Sequence, residues 1–307
     1  MKKFLEKYNI LKNEKVIIAC SGWVDSMFLL SEIIKSKNKK DIIVAHFNHK
    51  LRLEESDLDE EFVKEFCEKN NLVFEVKDED ISQIALAKKI WIEEAARIER
   101  YKFLRNIKEK YWAKYILVAH HLDDKIETFL LNLIRWTKLK WLISIEEKNE
   151  DILRPLLPFS KSEIIEKAKK LWLKWREDKS NLDEKYLRNN IRLNILPLFD
   201  QINSSYKKSF ENIMSYMWEI KTYFDEQIKK IIINNEYFEI ETFNNFPEFL
   251  QREVIRYVFE ITNFWTIGLS EGNIKEVIKF INDKWNYTKK EIKKMSLFKK
   301  NWKIYLM

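Results

Sequence analysis

The chain has 307 residues, enough for one large and one smaller domain with a real hydrophobic core and no covalent staples. Its 56 Lys and Arg against 49 Asp and Glu leave a formal charge of +7, and the pI near 9.0 favours a polyanionic partner, although an A/T-rich genome gives the same Lys, Ile and Asn enrichment. Cys20 and Cys67 exclude a disulfide framework and a C-x-x-C metal or Fe–S site; with no run of about 18 apolar residues and no secretory leader after Met1, they lead us to expect a soluble cytoplasmic protein.

Strands are expected at Lys15–Cys20, Asp41–Phe47, Leu72–Lys77 and Tyr115–Ala119, where β-branched residues run together. Amphipathic helices are expected at about Ser26–Lys37, Glu55–Asn70, Ile92–Tyr111 and Lys125–Ile134. This alternation is that of an α/β fold, a doubly wound parallel sheet covered on both faces. After Arg154-Pro155-Leu156-Leu157-Pro158 the strands stop, a helical pattern runs through Ser162–Leu171 and Glu184–Leu196, and Pro197 closes it. From about residue 203 a long helix is followed by shorter elements ending in a strand pair around Asn301–Lys303. The expected organisation is a catalytic domain with helical extension over 1–200 and a small, mainly helical domain over 201–307.

Three loops carry chemistry. The first is Ser21-Gly22-Trp23-Val24-Asp25-Ser26, between the first strand and its helix, where backbone N–H groups at a helix N-terminus suit a phosphate. It lacks the G-K-[ST] ending of a Walker A loop, and by itself it is also readable as an ordinary strand-to-helix turn with Asp25 near an N-cap. The second and third, His46-Phe47-Asn48-His49 and His120-His121-Leu122-Asp123-Asp124, also end strands, and ligands of open parallel sheets bind outside those ends. No His-x-x-x-His or cysteine partner spacing supports zinc.

The first loop resembles the S-G-G-x-D-S loop of the N-type ATP pyrophosphatases, a Rossmann-like superfamily, with Trp23 where the second glycine belongs. The wider pattern resembles the tRNA(Ile)-lysidine synthetase family. Its H-x-N-H-x-L-R is matched by His46, Asn48, His49, Leu51 and Arg52, and its E-x-x-A-R-x-x-R-Y by Glu93 or Glu94, Ala96, Arg97, Arg100 and Tyr101. Its A-H-x-x-D-D-x-x-E-T is matched by Ala119, His120, Asp123, Asp124, Glu127 and Thr128, and its L-x-R-G-[ST]-x-L-x-G-L by Leu133, Arg135, Trp136, Thr137, Leu139, Trp141 and Leu142. The R-P-L-L turn is Arg154 to Leu157, E-D-x-S-N is Glu177, Asp178, Ser180 and Asn181, and the following run passes through Tyr186, Arg188, Asn189, Ile191, Arg192 and Pro197. The likeness covers about residues 13–200 and is weak beyond.

The resemblance implies ligation of free lysine to C2 of the wobble cytidine in a CAU anticodon of tRNA(Ile), through an adenylated cytidine, with ATP and Mg2+ consumed or bound. It implies that Ser21, Gly22, Trp23, Val24, Asp25 and Ser26, with His46, Asn48 and His49, hold the nucleotide. Asp25, His120, Asp124 and Arg97 become the catalytic candidates, Asp25 and Asp124 the metal ligands, and Arg52, Arg100, Glu127, Arg135, Arg188 and Arg192 the substrate and tRNA contacts. Rival readings are tRNA 2-thiolation, a glutamine-dependent relative such as NAD or GMP synthetase, and a catalytically dead RNA-binding relative. Thiolation leans on a cysteine pair this chain lacks, and the glutamine-dependent relatives on an amidotransferase it lacks.

Only 3 residues are Gly and 11 are Trp, whereas glycine usually makes up about 7% of a chain. The family pattern has glycine where this chain has Trp23, Trp91, Trp112, Trp136, Trp141 and Trp172, and Trp218, Trp265, Trp285 and Trp302 look like further cases; Trp175 stands where an aromatic is normal. A gene that decodes UGA as glycine, translated as though UGA were tryptophan, explains the pattern. Genuine divergence is the alternative, sterically costly at each turn. UGG codons at these sites would end the recoding reading.

Overall fold

The structure is a computed structural model that describes residues 1–51, 54–135, 142, 145–177, 187–263, 269–293 and 295–307. Arg52, Trp136, Thr137, Leu139, Trp141, Asp178, Ser180, Asn181, Tyr186, Trp265 and Lys294 therefore lie outside the described residues. Two compact units are present, Met1–Met214 and Ser215–Met307, dividing inside the long helix Tyr206–Ile231.

The first unit is built on a six-stranded sheet of order β3-β2-β1-β4-β6-β5: β1 Val16–Ala19, β2 Ile42–Asn48, β3 Val73–Asp78, β4 Tyr115–Leu117, β5 Lys148–Asn149 and β6 Ile152–Leu153. All neighbours pair in parallel except the β5–β6 hairpin at one edge. Strand alternation sorts the side chains. Val16 and Ile18 of β1, with Ile42 and Val44 of β2, face a core that includes helix residues Met27, Leu30, Val63, Ile164 and Ala168. Ile17, Ile43, Ala45 and Phe47 face the opposite core, with Ile81, Ala95, Leu104 and Ile107.

The helices of these cores are α1 Lys2–Lys7, α2 Val24–Ile34, α3 Glu54–Asn70, α4 Ile81–Lys88, α5 Ile92–Tyr111, α6 Leu122–Ile134 and α7 Lys161–Lys170. The four expected strands and their helices are present with ends shifted by up to three residues. Helices α1 and α4 and the β5–β6 hairpin are additions: they are short, and Ile152–Leu153 pairs a strand that the sequence pattern does not separate from the following turn. Pro197 does not close the helical segment. It lies in the first turn of α9 (Leu196–Ile202), where proline's missing N–H leaves no hydrogen bond unmade, after α8 (Leu187–Asn190) and a wide π turn at Ile191–Ile195.

The second unit has a four-stranded antiparallel sheet, order β7-β10-β9-β8, from Tyr237–Glu239, Lys303–Leu306, Met295–Lys300 and Thr288–Ile292. The end of α10 (Tyr206–Ile231), a short α11 (Ile240–Asn244), α12 (Glu248–Asn263) and α13 (Glu271–Asn282) supply the rest of its core, including Ile228, Phe243, Val258 and Ile281. Lys299 is buried and its ammonium donates to the carbonyls of Ile281 and Asp283, which caps α13. The sequence pattern shows one strand pair here; the remaining strands are short and half charged, so alternation alone does not reveal them.

Trp112 and Trp172 follow the last turns of α5 and α7 in left-handed backbone, φ 54 and 52, with 91% and 92% of their surfaces exposed. Asn301 and Trp302, φ 49 and 61, form the two-residue loop between β9 and β10, the geometry for which Asn-Gly is the preferred sequence. Trp91 (φ −66) and Trp23 (φ −84) have ordinary extended backbone. A bulky residue in the left-handed region costs on the order of 1–3 kcal/mol, and these three indoles recover little of it by burial. Trp112→Gly, Trp172→Gly and Trp302→Gly are therefore each expected to stabilise the fold by about 1 kcal/mol after glycine's extra chain entropy is deducted, and Trp91→Gly is expected not to; denaturant melts of the four variants decide this.

Candidate active site at the carboxyl edge of the sheet

Strand order places the site. The chain passes from β1 outward through β2 to β3, then returns to lay β4 on the other side of β1, so the loops after β1 and β4 diverge and leave a crevice between them. Helices α2 and α6 start from those two loops, and their N-terminal N–H groups have no partner within the helix.

The loop after β1 is tightly braced. Gly22 has φ +86, and a Cβ there would stand 3.2 Å from Val63 Cγ2 on α3, so the position accepts glycine alone without movement. Ser21 N–H donates to Ser26 Oγ at 3.1 Å, and Ser26 Oγ–H to the Trp23 carbonyl at 3.0 Å. From beneath, buried His46 donates Nδ1–H to the Cys20 carbonyl at 2.9 Å; burial pulls its pKa down, so the ring is a neutral prop. Arg176 donates its backbone N–H to Gly22 O at 3.0 Å, and its guanidinium reaches Asp59 and, at 2.8 Å, Glu55 of α3. The Trp23 indole N–H lies 3.4 Å from the other Asp59 oxygen.

The loop after β4 brings in His120 to Asp124. His121 is buried, with Nε2 3.5 Å from Asp124 Oδ2 and 3.8 Å from Asp25 Oδ1, and Nδ1 3.7 Å from Asp123 Oδ2. Three carboxylates thus surround one imidazole. Lys161, the first residue of α7, places Nζ 2.6 Å from Asp25 Oδ2 and donates its backbone N–H to Asp123 Oδ2 at 2.7 Å. Lys207 holds the other Asp123 oxygen at 2.6 Å. Asp25 Oδ1 and His121 Nδ1 are buried and make no hydrogen bond among the described residues.

Burial works against charge on Asp124, but the His121 and His120 rings and the His121 N–H, 3.0 Å away, hold its carboxyl below the usual range. His120 lies on the other flank. Burial, with Arg100, Arg154 and Arg188 nearby, outweighs the pull of Asp124 and brings its pKa to about 3. Arg154 Nε donates to His120 Nδ1 at 3.3 Å, which fixes the neutral tautomer with its proton on Nε2.

The other sequence candidates are distributed as follows. Glu127 is fully buried beneath Arg192, which grips it at 2.7 and 3.0 Å and lies 3.8 Å from Asp124; Arg188 is 3.5 Å from Glu127 and donates to Thr128 Oγ1 at 2.7 Å. Burial raises the Glu127 carboxyl and Arg192 opposes that rise. Arg97 is exposed and Arg100 half-buried, and both lie over the Tyr101 ring, 5.6 and 5.4 Å from its centroid. Asn48 is turned inward, donating to Asp57 and Glu60, and the His49 ring packs on Phe47 at 4.7 Å. Arg135 caps the far end of α6, about 20 Å from its start at 1.5 Å per residue. His121, Asp123, Arg154, Lys161 and Arg176 were not chosen as site residues from sequence. His121 and Asp123 stood inside a quoted motif, whereas Lys161 and Arg176 reach the loop only because the fold returns them to it.

The His120 shift carries a pH signature. The unfolded chain takes up a proton on this histidine near pH 6.5 and the folded chain only near 3, so its contribution to stability is full above 6.5 and is lost as pH falls toward 3. His120→Asn, which keeps an acceptor for Arg154, is expected to reduce the fall in melting temperature between pH 7 and pH 5.

The PP-loop domain family matches residues 1–199. The chain is similar to the tRNA(Ile)-lysidine synthase of Bacteroides thetaiotaomicron, 34% identical over 300 residues that cover 94% of this chain and 68% of that protein. It is also similar to that of Clostridium acetobutylicum, 33% identical over 279 residues, 84% of this chain and 59% of that one. It therefore spans about three fifths to two thirds of the length of these curated relatives. Among solved structures, the U34-tRNA thiolase NcsA of Methanococcus maripaludis superposes with a TM-score of 0.55 at 20% identity, covering 71% of this chain and 77% of that chain, a likeness of fold alone. With its phosphate-type loop after β1, its acidic loop after β4 and this extent of identity, the chain belongs to the tRNA(Ile)-lysidine synthase family of PP-loop proteins.

Proposed function

We propose that this chain ligates free lysine to C2 of the wobble cytidine of a tRNA(Ile) bearing the CAU anticodon, with ATP converted to AMP and pyrophosphate. The observation that carries the reading is the meeting of Asp25, from the loop after β1, and Asp124, from the loop after β4, within 4 Å of the same buried imidazole. The helix N-termini beside them suit the polyphosphate, and neutral His120 with Arg100 and Arg154 forms a cationic flank for the reacting phosphate and base.

In the first step the cytidine C2 oxygen attacks the α-phosphorus and pyrophosphate leaves. In the second the lysine ε-amine attacks C2 and AMP leaves. The incoming ammonium must lose a proton before it attacks, and we assign ionised Asp124 to attract and hold it. Mg2+ fits the donors: Asp25 Oδ1 is a buried carboxylate oxygen with no hydrogen bond among the described residues, which also hold no cage of three or more His, Cys, Asp or Glu. That combination suits an ion that takes one or two carboxylates and completes its shell with phosphate oxygens, neutralising the leaving group's charge.

The basic residues of the second unit, among them Lys289, Lys290 and Lys300, are assigned to tRNA backbone contact, which makes binding salt-sensitive. A cytoplasmic setting follows from the substrate; no helix among the described residues is long and apolar enough to cross a membrane. Thiolation is disfavoured by the cysteines, both buried, with burial raising Cys20 to about 11 and Cys67 higher still, so neither is a ready thiolate.

Transfer of labelled lysine into tRNA(Ile) with a CAU anticodon is the test. Incorporation dependent on ATP is expected, with Asp25→Ala or Asp124→Ala reducing kcat/KM at least 100-fold; tRNA binding without incorporation or ATP–pyrophosphate exchange would instead mark a binding protein. Trp23→Gly beside the chain as written is expected to lower the KM for ATP.

A further inference from the structure

Lys161 stands at a position where a cation is intrinsically unfavourable, the first residue of a helix whose N-terminus already carries positive partial charge. Its backbone is firmly held: Ser160 caps α7, Ser160 N–H donates to the Glu163 carboxylate at 2.7 Å, and the Lys161 N–H donates to Asp123. Its side chain is not held in the same way. The ammonium rests on Asp25 Oδ2 alone among the described side chains, at the end of a flexible four-carbon stem that remains 39% exposed. Asp25 Oδ1 meanwhile makes no hydrogen bond among the described residues.

Resting on the ATP-dependent reading above, we propose that Lys161 is a mobile phosphate ligand: without nucleotide its ammonium occupies Asp25, and on arrival of a polyphosphate it moves to the phosphate oxygens and releases Asp25 to the divalent cation. The cation and the nucleotide then enter as a pair. A divalent ion alone meets a carboxylate already neutralised by lysine, and the neighbouring Asp123 and Asp124 are likewise engaged, by Lys207 and by Arg192 and the His121 N–H. A polyanion alone meets Lys161 and two helix N-termini, but also the charge of Asp25. Only the two together satisfy both groups.

The alternative is a static ion pair that ties α7 to α2, along which it packs. Calorimetric titration of the full chain with magnesium pyrophosphate and with AMP separates the two. Lys161→Ala is expected to weaken pyrophosphate binding at least 10-fold and AMP binding by less than twofold, and Lys161→Arg to restore most of the loss. Electron paramagnetic resonance with Mn2+ and no nucleotide supplies a second readout: in the unmutated chain Asp25→Asn leaves Mn2+ uptake unchanged, whereas Lys161→Met creates uptake that Asp25→Asn removes. Unaltered pyrophosphate affinity in Lys161→Ala with a lowered melting temperature, or Mn2+ uptake that already depends on Asp25 in the unmutated chain, overturns the proposal. An unmutated chain that binds neither ATP nor pyrophosphate removes the functional reading itself, a result distinct from failure at Lys161.

Discussion

The structure of the first unit depends on how acidic charge is neutralised at the carboxyl edge of the sheet. Parallel strands joined by helices deliver helix N-termini to that edge as a consequence of right-handed crossover, and carboxylates stabilise those termini. Asp25, Asp123 and Asp124 do so at α2 and α6, but they also crowd three negative charges around one buried histidine. Lys161, Lys207 and Arg192 hold that charge, each from an element later in the chain than α6. Neutralising the site therefore depends on residues that the chain returns to this edge from α7, the turn Ile191–Ile195 and the start of α10.

The two sides of the crevice differ in kind. On one side the carboxylates meet flexible lysines, whose compact ammonium groups exchange partners readily. On the other, arginines are bound in fixed forks: Arg192 to Glu127 by two bonds, Arg154 between His120 and the Glu146 carbonyl. Charge that must be present whether or not substrate is bound is supplied by the arginines. On the proposal above, charge that has to yield to a nucleotide is supplied by lysine. His120 belongs to the fixed side, because burial and the surrounding arginines favour its uncharged form.

The sheet was legible in the sequence because its central strands β1 and β2 are buried on both faces and its helices are amphipathic over many turns, so periodicity reported burial directly. The loops were legible through residue types at the ends of those strands. What escaped was short or distant. Helices α1 and α4 are too brief to show a period, and the second unit's strands mix charged and apolar residues without regular alternation over only three to six positions. Lys161 and Arg176 act on a loop more than 130 residues earlier, and nothing local marks that return. Glu127, read from its motif as a substrate contact, lies fully buried and pairs with two arginines, an environment the motif alone does not reveal.

The tryptophans divide into two physical kinds, and the division bears on what each glycine of the family pattern is for. At Trp112, Trp172 and Trp302 the backbone is left-handed, so the chain's own path asks for glycine whatever the protein binds. At Trp23 the backbone is extended at φ −84, and the indole is accommodated against Asp59 of α3. Folding makes no demand for glycine there. Under the proposed function, glycine at this place serves the close approach of a polyphosphate to the loop's backbone. The neighbouring Gly22 differs from both kinds, since its positive φ and the 3.2 Å approach to Val63 make it a requirement of packing as well as of the loop. Stability and nucleotide affinity should accordingly respond to different members of the set, which separates a fold-level origin of the pattern from a functional one without reference to any relative.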